Sequence, residues 1–103
     1  MGAVEKNSAH YPLEAIKALV LERGSNAFTK SASDNARLIG LDRIATVSVV
    51  LSLQRGMLFK SMTAHADHRV WQGVYHAPCP NGKTAYIKVT VQVGAIVIRF
   101  KEK

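Results

Sequence analysis

A single cysteine, Cys79, rules out an internal disulfide, in keeping with a reducing compartment. Apolar runs are short: none reaches the ~18 to 20 residues that a membrane span needs. The polar stretch from Met1 to His10 has no apolar centre of the kind a signal peptide carries. A cytoplasmic protein with no membrane association is expected. Walker loop, dinucleotide glycine pattern and nucleophile elbow are all missing, which sets aside ATP and NAD chemistry. His76 and Cys79 amount to half a zinc site, but no second pair stands at ligand spacing, so neither metal nor other cofactor is expected. No repeat, low-complexity tract or linker divides the chain, and 103 residues suffice for one domain, 1–103, with a small self-sufficient core.

Acidic residues are scarce too. Seven Asp and Glu face fourteen Lys and Arg, giving +7, and the imbalance is uneven: residues 1–54 carry +1 and residues 55–103 carry +6. The second half is the one that faces a polyanion, and for a cytoplasmic domain nucleic acid is the expected one. A merely solvated basic face is the alternative. With 48% hydrophobic residues, the composition is that of an ordinary globular protein.

The most legible stretch is the last nineteen residues. Ala85, Ile87, Val89, Val91 and Val93 alternate with Tyr86, Lys88, Thr90 and Gln92; then Ile96, Ile98 and Phe100 alternate with Val97, Arg99, Lys101 and Lys103. Period two means strands, and two of them in tandem mean a hairpin. With Gly94-Ala95 as a type II′ turn, Val93 faces Ile96, Val91 faces Ile98 and Val89 faces Phe100. Lys88 then lies opposite Lys101, and Tyr86 lies diagonal to Lys101. One face builds a core; the other gathers a phenol, ammonium groups and a guanidinium.

Upstream, Pro12 to Glu22 spaces Leu13, Ile16, Leu19 and Val20 as a helix does, with Gly24 beyond its end. Thr29 to Asn35 predicts a second short helix, with Ser31 and Asp34 spaced like a capping box and Gly40 closing it. Asp42 to Gln54 obeys two rules at once: alternation favours a strand, whereas Asp42 as cap with Ile44, Val47, Val50 and Leu51 favours a helix. Met57 to Ala64 reads as an internal strand, apolar on both faces, in which Lys60 either snorkels or is held for a purpose. His65 to Tyr75 is open: Asp67 caps a short turn that places Val70, Trp71, Val74 and Tyr75 together, or Val70 to His76 forms a strand. Pro78, Pro80 and Asn81-Gly82 form a loop and tight turn.

Two chemistries suggest themselves. His65 and His68 are able to supply base and acid, but proximity in sequence does not make an acid–base pair, and surface histidines are the commoner outcome. The basic, phenolic hairpin face suits phosphodiester cleavage, with cations stabilising a phosphorane-like transition state and Tyr or a depressed lysine moving protons. A face used for nucleic-acid binding alone fits equally well.

A resemblance bears on the choice. Phe59-Lys60-Ser61-Met62-Thr63, Asp67-His68, Val70-Trp71-Gln72 with Val74-Tyr75, the run Tyr86 to Val91, and the ending Phe100-Lys101-Glu102-Lys103 closely resemble the motility quorum-sensing regulator (MqsR) family. These are mRNA interferase toxins of bacterial type II toxin–antitoxin systems. The match is continuous from Phe59 to the C-terminus and looser from His10 to Gln54. It implies an α+β, RelE-like toxin fold, with N-terminal helices packed on a mostly antiparallel curved sheet that ends in a C-terminal β-hairpin. It also favours the helical reading of Asp42 to Gln54.

The resemblance further implies a metal-independent, sequence-selective endoribonuclease whose catalytic residues are Lys60, Gln72, Tyr86 and Lys101. Lys88, Arg99, Lys103, His65 and His68 are the accompanying RNA-binding candidates. Implied partners are messenger RNA, a cognate MqsA-like antitoxin with a zinc-binding and a helix-turn-helix domain, and operator DNA only through that antitoxin. His65 departs from the aromatic residue usual in the family, and the loop at Cys79 and Pro80 is one residue longer. The rival readings are a non-catalytic nucleic-acid-binding module and an antitoxin-dependent corepressor.

Overall fold

The computed structural model describes residues 4–103. Residues 1–3, which belong to the Met1–His10 stretch and to the expected 1–103 domain, lie outside the described residues.

Pro12, with φ fixed near the helical value, opens the first helix, α1 (Leu13–Arg23), and its carbonyl accepts from the N–H groups of Ala15 and Ile16. Leu13, Ile16 and Val20 are buried, as their spacing predicts. A 3₁₀ turn, Gly24–Ala27, leads into α2 (Lys30–Leu38). Its cap is Thr29, whose Oγ1 accepts from the Ala32 N–H at 3.0 Å. The expected box at Ser31 and Asp34 is therefore corrected: both lie inside the helix, and Asp34 pairs with Lys30 and Arg37. Helix α3 (Arg43–Leu51) is capped by Asp42, which accepts from Ala45 N–H at 2.8 Å. Burial of Thr46, Val49 and Val50, at positions i, i+3 and i+4, settles the conflict in that segment for the helix.

Five strands follow the order β1-β2-β3-β4-β5, each antiparallel to its neighbour. They are β1 (Glu5–Lys6), β2 (Leu58–Thr63), β3 (Trp71–Pro78), β4 (Thr84–Gln92) and β5 (Ala95–Glu102). The fold is thus α+β. Trp71 to Tyr75 is strand, not capped turn, and Pro78 closes β3 instead of joining the loop. The short edge strand β1 had no signature in sequence; it is held by the buried hydroxyl of Thr63, which accepts from Val4 N–H, and by Ser61, which donates to the Ser8 carbonyl.

Helices cover one face of the sheet. Ile16, Val20, Ala32, Ala36, Val49 and Val50 pack with Ile87, Val89, Ile96, Ile98 and Phe100 in a single core. Truncating Phe100 there would cost about 3–5 kcal/mol, a large share of the ~5–15 kcal/mol typical of a domain. The outer edge of β5 is covered too: Thr29 N–H and Asn35 Nδ2 donate to the carbonyls of Ile98 and Phe100, so it offers no open ladder. No helix among the described residues is long and apolar enough to cross a membrane.

The terminal hairpin keeps its predicted faces but not its predicted register. Val91 pairs with Ile96, Val89 with Ile98, Ile87 with Phe100, Lys88 with Arg99, and Tyr86 lies directly opposite Lys101. The turn is Val93-Gly94, with φ of 51° and 73°, the two positive values of a type I′ turn. A slide of two residues leaves every side chain on its face. Gln72 of β3 pairs with Thr90, so Val93 lies past the end of β3 and would gain little burial by staying in the strand. The chosen register instead sets Ile87 against Phe100, and Val93 is left fully exposed.

Candidate active site

The sheet face away from the helices carries the chemistry, and strand register arranges it in rows. One row holds Val74, Lys88 and Arg99 on β3, β4 and β5, with Lys60 of β2 opposite Val74. The next holds His76, Tyr86 and Lys101. Gln72 and Thr90 pair two residues further along β3, and Gln72 Nε2 lies 3.5 Å from Thr90 Oγ1.

Lys60 reaches this face through a bulge. Leu58 opposes Tyr75 on the core side, yet Lys60 opposes Val74, so Phe59 is an inserted residue. In a regular strand through Leu58, Phe59 and Lys60, alternation would put Lys60 on the core side with Leu58; the bulge re-aims it, a common use of bulges beside functional sites. Phe59 stacks on the ring of His76, 4.5 Å between centroids. Lys60 Nζ is 2.8 Å from Glu5 Oε2, so the edge strand supplies its counter-charge.

Lys88 lies at the electrostatic centre. Burial lowers its pKa first, and the positive charges of Arg99, Lys101 and Lys60 lower it further. Val74 is wholly buried between Lys60 and Lys88 although it points away from the core, as expected where lysine stems lie along apolar surface. Lys101 Nζ stands 5.1 Å from the centre of the Tyr86 ring. A cavity of about 440 Å³ opens beside these groups, between the start of α2 at Thr29, Ser31 and Asn35 and the side chains of Tyr86, Lys88, Arg99 and Lys101. Another of the same size, lined by α2 and α3, contains none of the candidate residues.

The structure therefore brings Lys60, Tyr86, Lys88, Arg99 and Lys101 together. Lys103 follows β5, its N–H donating to the Thr84 carbonyl, and its charge is felt at His76. Gln72 shares the face but lies four residues from His76, about 13 Å along the strand. His65 and His68 are in the exposed loop between β2 and β3, beyond Trp71 and roughly 17 Å from the Tyr86 row. Among the described residues no group of three or more His, Cys, Asp and Glu side chains is placed to hold a metal ion. Cys79 is buried in the core cluster, not on the face that holds His76.

His76 entered the sequence reading only as half of an incomplete zinc site, not as a member of the Tyr86 row. Its rings-and-register position, between Phe59 and Tyr86 with a centroid distance of 5.6 Å to the phenol, depends on long-range pairing. The strand alternative, Val70 to His76, already puts it on the face of Gln72, but its ring neighbours come from β2 and β4.

The class that fold and site define is a two-layer α+β domain with a cationic sheet face bearing a phenol and an imidazole, chemistry suited to a phosphodiester polyanion. The family model described as "Motility quorum-sensing regulator, toxin of MqsA" matches residues 8–102, and the chain belongs to this family. It is 37% identical over 100 residues to the mRNA interferase toxin MqsR of Escherichia coli (strain K12), covering 97% of this chain and the whole of that protein.

Proposed function

We propose that this chain is the toxin of a type II toxin–antitoxin pair: a sequence-selective endoribonuclease of RelE-like fold that cuts messenger RNA in the cytoplasm. The ribose 2′-OH attacks the adjacent phosphate, leaving a 2′,3′-cyclic phosphate and a 5′-OH, with no metal ion in the step. The observation that carries this is the placement of Lys60, Lys88, Tyr86 and Lys101 in two adjacent rows of one open sheet face. Fixed cations aimed at a phosphate stabilise charge as it develops in the transition state, the contribution a metal ion would otherwise make.

In this reading Lys60 and Lys101 hold the pentacoordinate phosphate and Tyr86 transfers a proton. Gln72, too far along β3 to share that phosphate, positions a neighbouring nucleotide. Lys88, Arg99 and Lys103, with His65 and His68 further along the path, hold the strand. The partner is an MqsA-like antitoxin, zinc-binding and carrying a helix-turn-helix domain, through which alone operator DNA is reached.

The test is cleavage of messenger RNA by the purified protein in EDTA. Cutting that Tyr86→Phe abolishes supports the nuclease. RNA retained but never cut supports a binding module instead.

A further inference from the structure

We infer that His76 is the proton acceptor for the attacking 2′-hydroxyl, acting across the β3–β4 pair from Tyr86; the inference rests on the nuclease reading above and names a further catalytic residue for that site. Three observations carry it. His76 is directly opposite Tyr86 in register. Its ring is held from the other side by Phe59, 4.5 Å away and nearly parallel at 19°, so its orientation is fixed before substrate arrives. It is also the one imidazole that the strands place in the row of Tyr86 and Lys101.

The alternatives on this face are poor bases near neutral pH. Lys60 and Lys88 on β2 and β4, and Arg99 and Lys101 on β5, offer ammonium and guanidinium groups and Tyr86 a phenol, classes of side chain whose basic forms are scarce near neutral pH. Imidazole alone has an ordinary pKa close to working pH. The charges around it favour its neutral form: burial lowers its pKa first, and Lys103 lowers it further. Groups on the neighbouring elements do not oppose this. Glu5 is engaged with Lys60, Glu102 lies near Lys83, and Arg55, in the turn before β2, bridges to Glu14.

The step balances. The O2′–H bond breaks and its proton passes to a ring nitrogen of His76. The O2′–P bond forms as the P–O5′ bond breaks, and O5′ takes the phenolic proton of Tyr86. Lys101, beside the ring, stabilises the phenolate. Imidazolium and phenolate then return to their starting forms by exchanging one proton, directly or through water. Adjacent strands ~4.8 Å apart set acceptor and donor on either side of one phosphate, as in-line displacement needs.

A platform for base stacking would use the same ring, so the informative variant keeps an aromatic there. His76→Phe is compared with wild type in single-turnover cleavage of a short RNA between pH 5 and 9. Binding is followed with the same oligonucleotide 2′-deoxy at the scissile position. Expected are a 10²- to 10⁴-fold loss of rate, disappearance of the acidic limb of the pH profile and binding within about threefold of wild type. In His76→Ala, added imidazole should restore part of the rate. A substrate with sulfur at the 5′ leaving position, which needs no proton donor, should rescue Tyr86→Phe and leave His76→Phe slow. Wild-type rate and an unchanged pH profile in His76→Phe would overturn the role of His76 alone. A wild type that cuts no RNA would overturn the nuclease reading, and this assignment with it.

Discussion

Tyr86 and Lys101 stand directly opposite each other across the β4–β5 hairpin, the lysine Nζ 5.1 Å from the centre of the phenol ring. Tyr86 is held by strand pairing to β3 on one side and β5 on the other, and Lys101 by its pairing to β4. The pair forms a preorganised unit for one phosphate.

Their contributions to cleavage should therefore not add. Tyr86→Phe and Lys101→Ala should each lower single-turnover cleavage by about 10²- to 10⁴-fold. The double variant should be scarcely slower than the worse single one, because each loss already disables the step that uses the other. Both side chains point away from Ile87, Val89, Ile98 and Phe100, so thermal unfolding should be little changed.

Lys88 should show a trade of stability against function. Folding lowers its pKa from the ordinary lysine value of 10.5, through burial and then through Arg99, Lys101 and Lys60. The sign follows: at neutral pH, with the amine charged in both states, the penalty is fully present. It fades as pH rises through the folded-state pKa toward 10.5. Lys88→Met should raise Tm at pH 7, and the gain over wild type should shrink under alkaline conditions. RNA binding should weaken, with the salt slope falling by about 0.7, one single-strand phosphate contact. A variant less stable than wild type at pH 7 would contradict the placement of Lys88 among cations.

His65 and His68 should matter little to the chemical step. Lying roughly 17 Å from the Tyr86 row, they are able to touch RNA but not the scissile phosphate. The double alanine variant should lose less than tenfold in single-turnover cleavage. A loss of the size expected for a general acid or base would restore the histidine-pair mechanism.

The antitoxin should carry an acidic surface for this face. Association should be fast at low ionic strength and slow as salt rises, while dissociation changes less. Stopped-flow binding at several salt concentrations checks it, and an association rate indifferent to salt would count against charge complementarity.

Much of this arrangement was legible in the chain, and the exceptions share a cause. Period-two alternation from Ala85 to Lys103 specified both hairpin faces, because side-chain direction is a local property of a strand. Register is not local. A two-residue slide preserves both faces, and what decided it was where β3 ends and whether Val93 had anything to pack against. In Asp42 to Gln54 alternation and helical spacing coexist; the cap at Asp42 and the buried stripe of Thr46, Val49 and Val50 decide it in three dimensions. The bulge at Phe59 changes which face Lys60 meets, yet an inserted residue looks like any other until its partner strand is known. His76 stood in the sequence only as half of a zinc site for the same reason, its neighbours Phe59 and Tyr86 being 17 and 10 positions away in the chain.

The most direct test of the central claim is an RNA oligonucleotide that the protein cuts once, compared with the same oligonucleotide carrying a single 2′-deoxy nucleotide just 5′ of the cut. Attack by the 2′-hydroxyl predicts unchanged binding, no cleavage of the deoxy substrate, and a 2′,3′-cyclic phosphate on the product of the all-ribo one. Cleavage of both substrates at similar rates would contradict it, since water and not the ribose would then be the nucleophile.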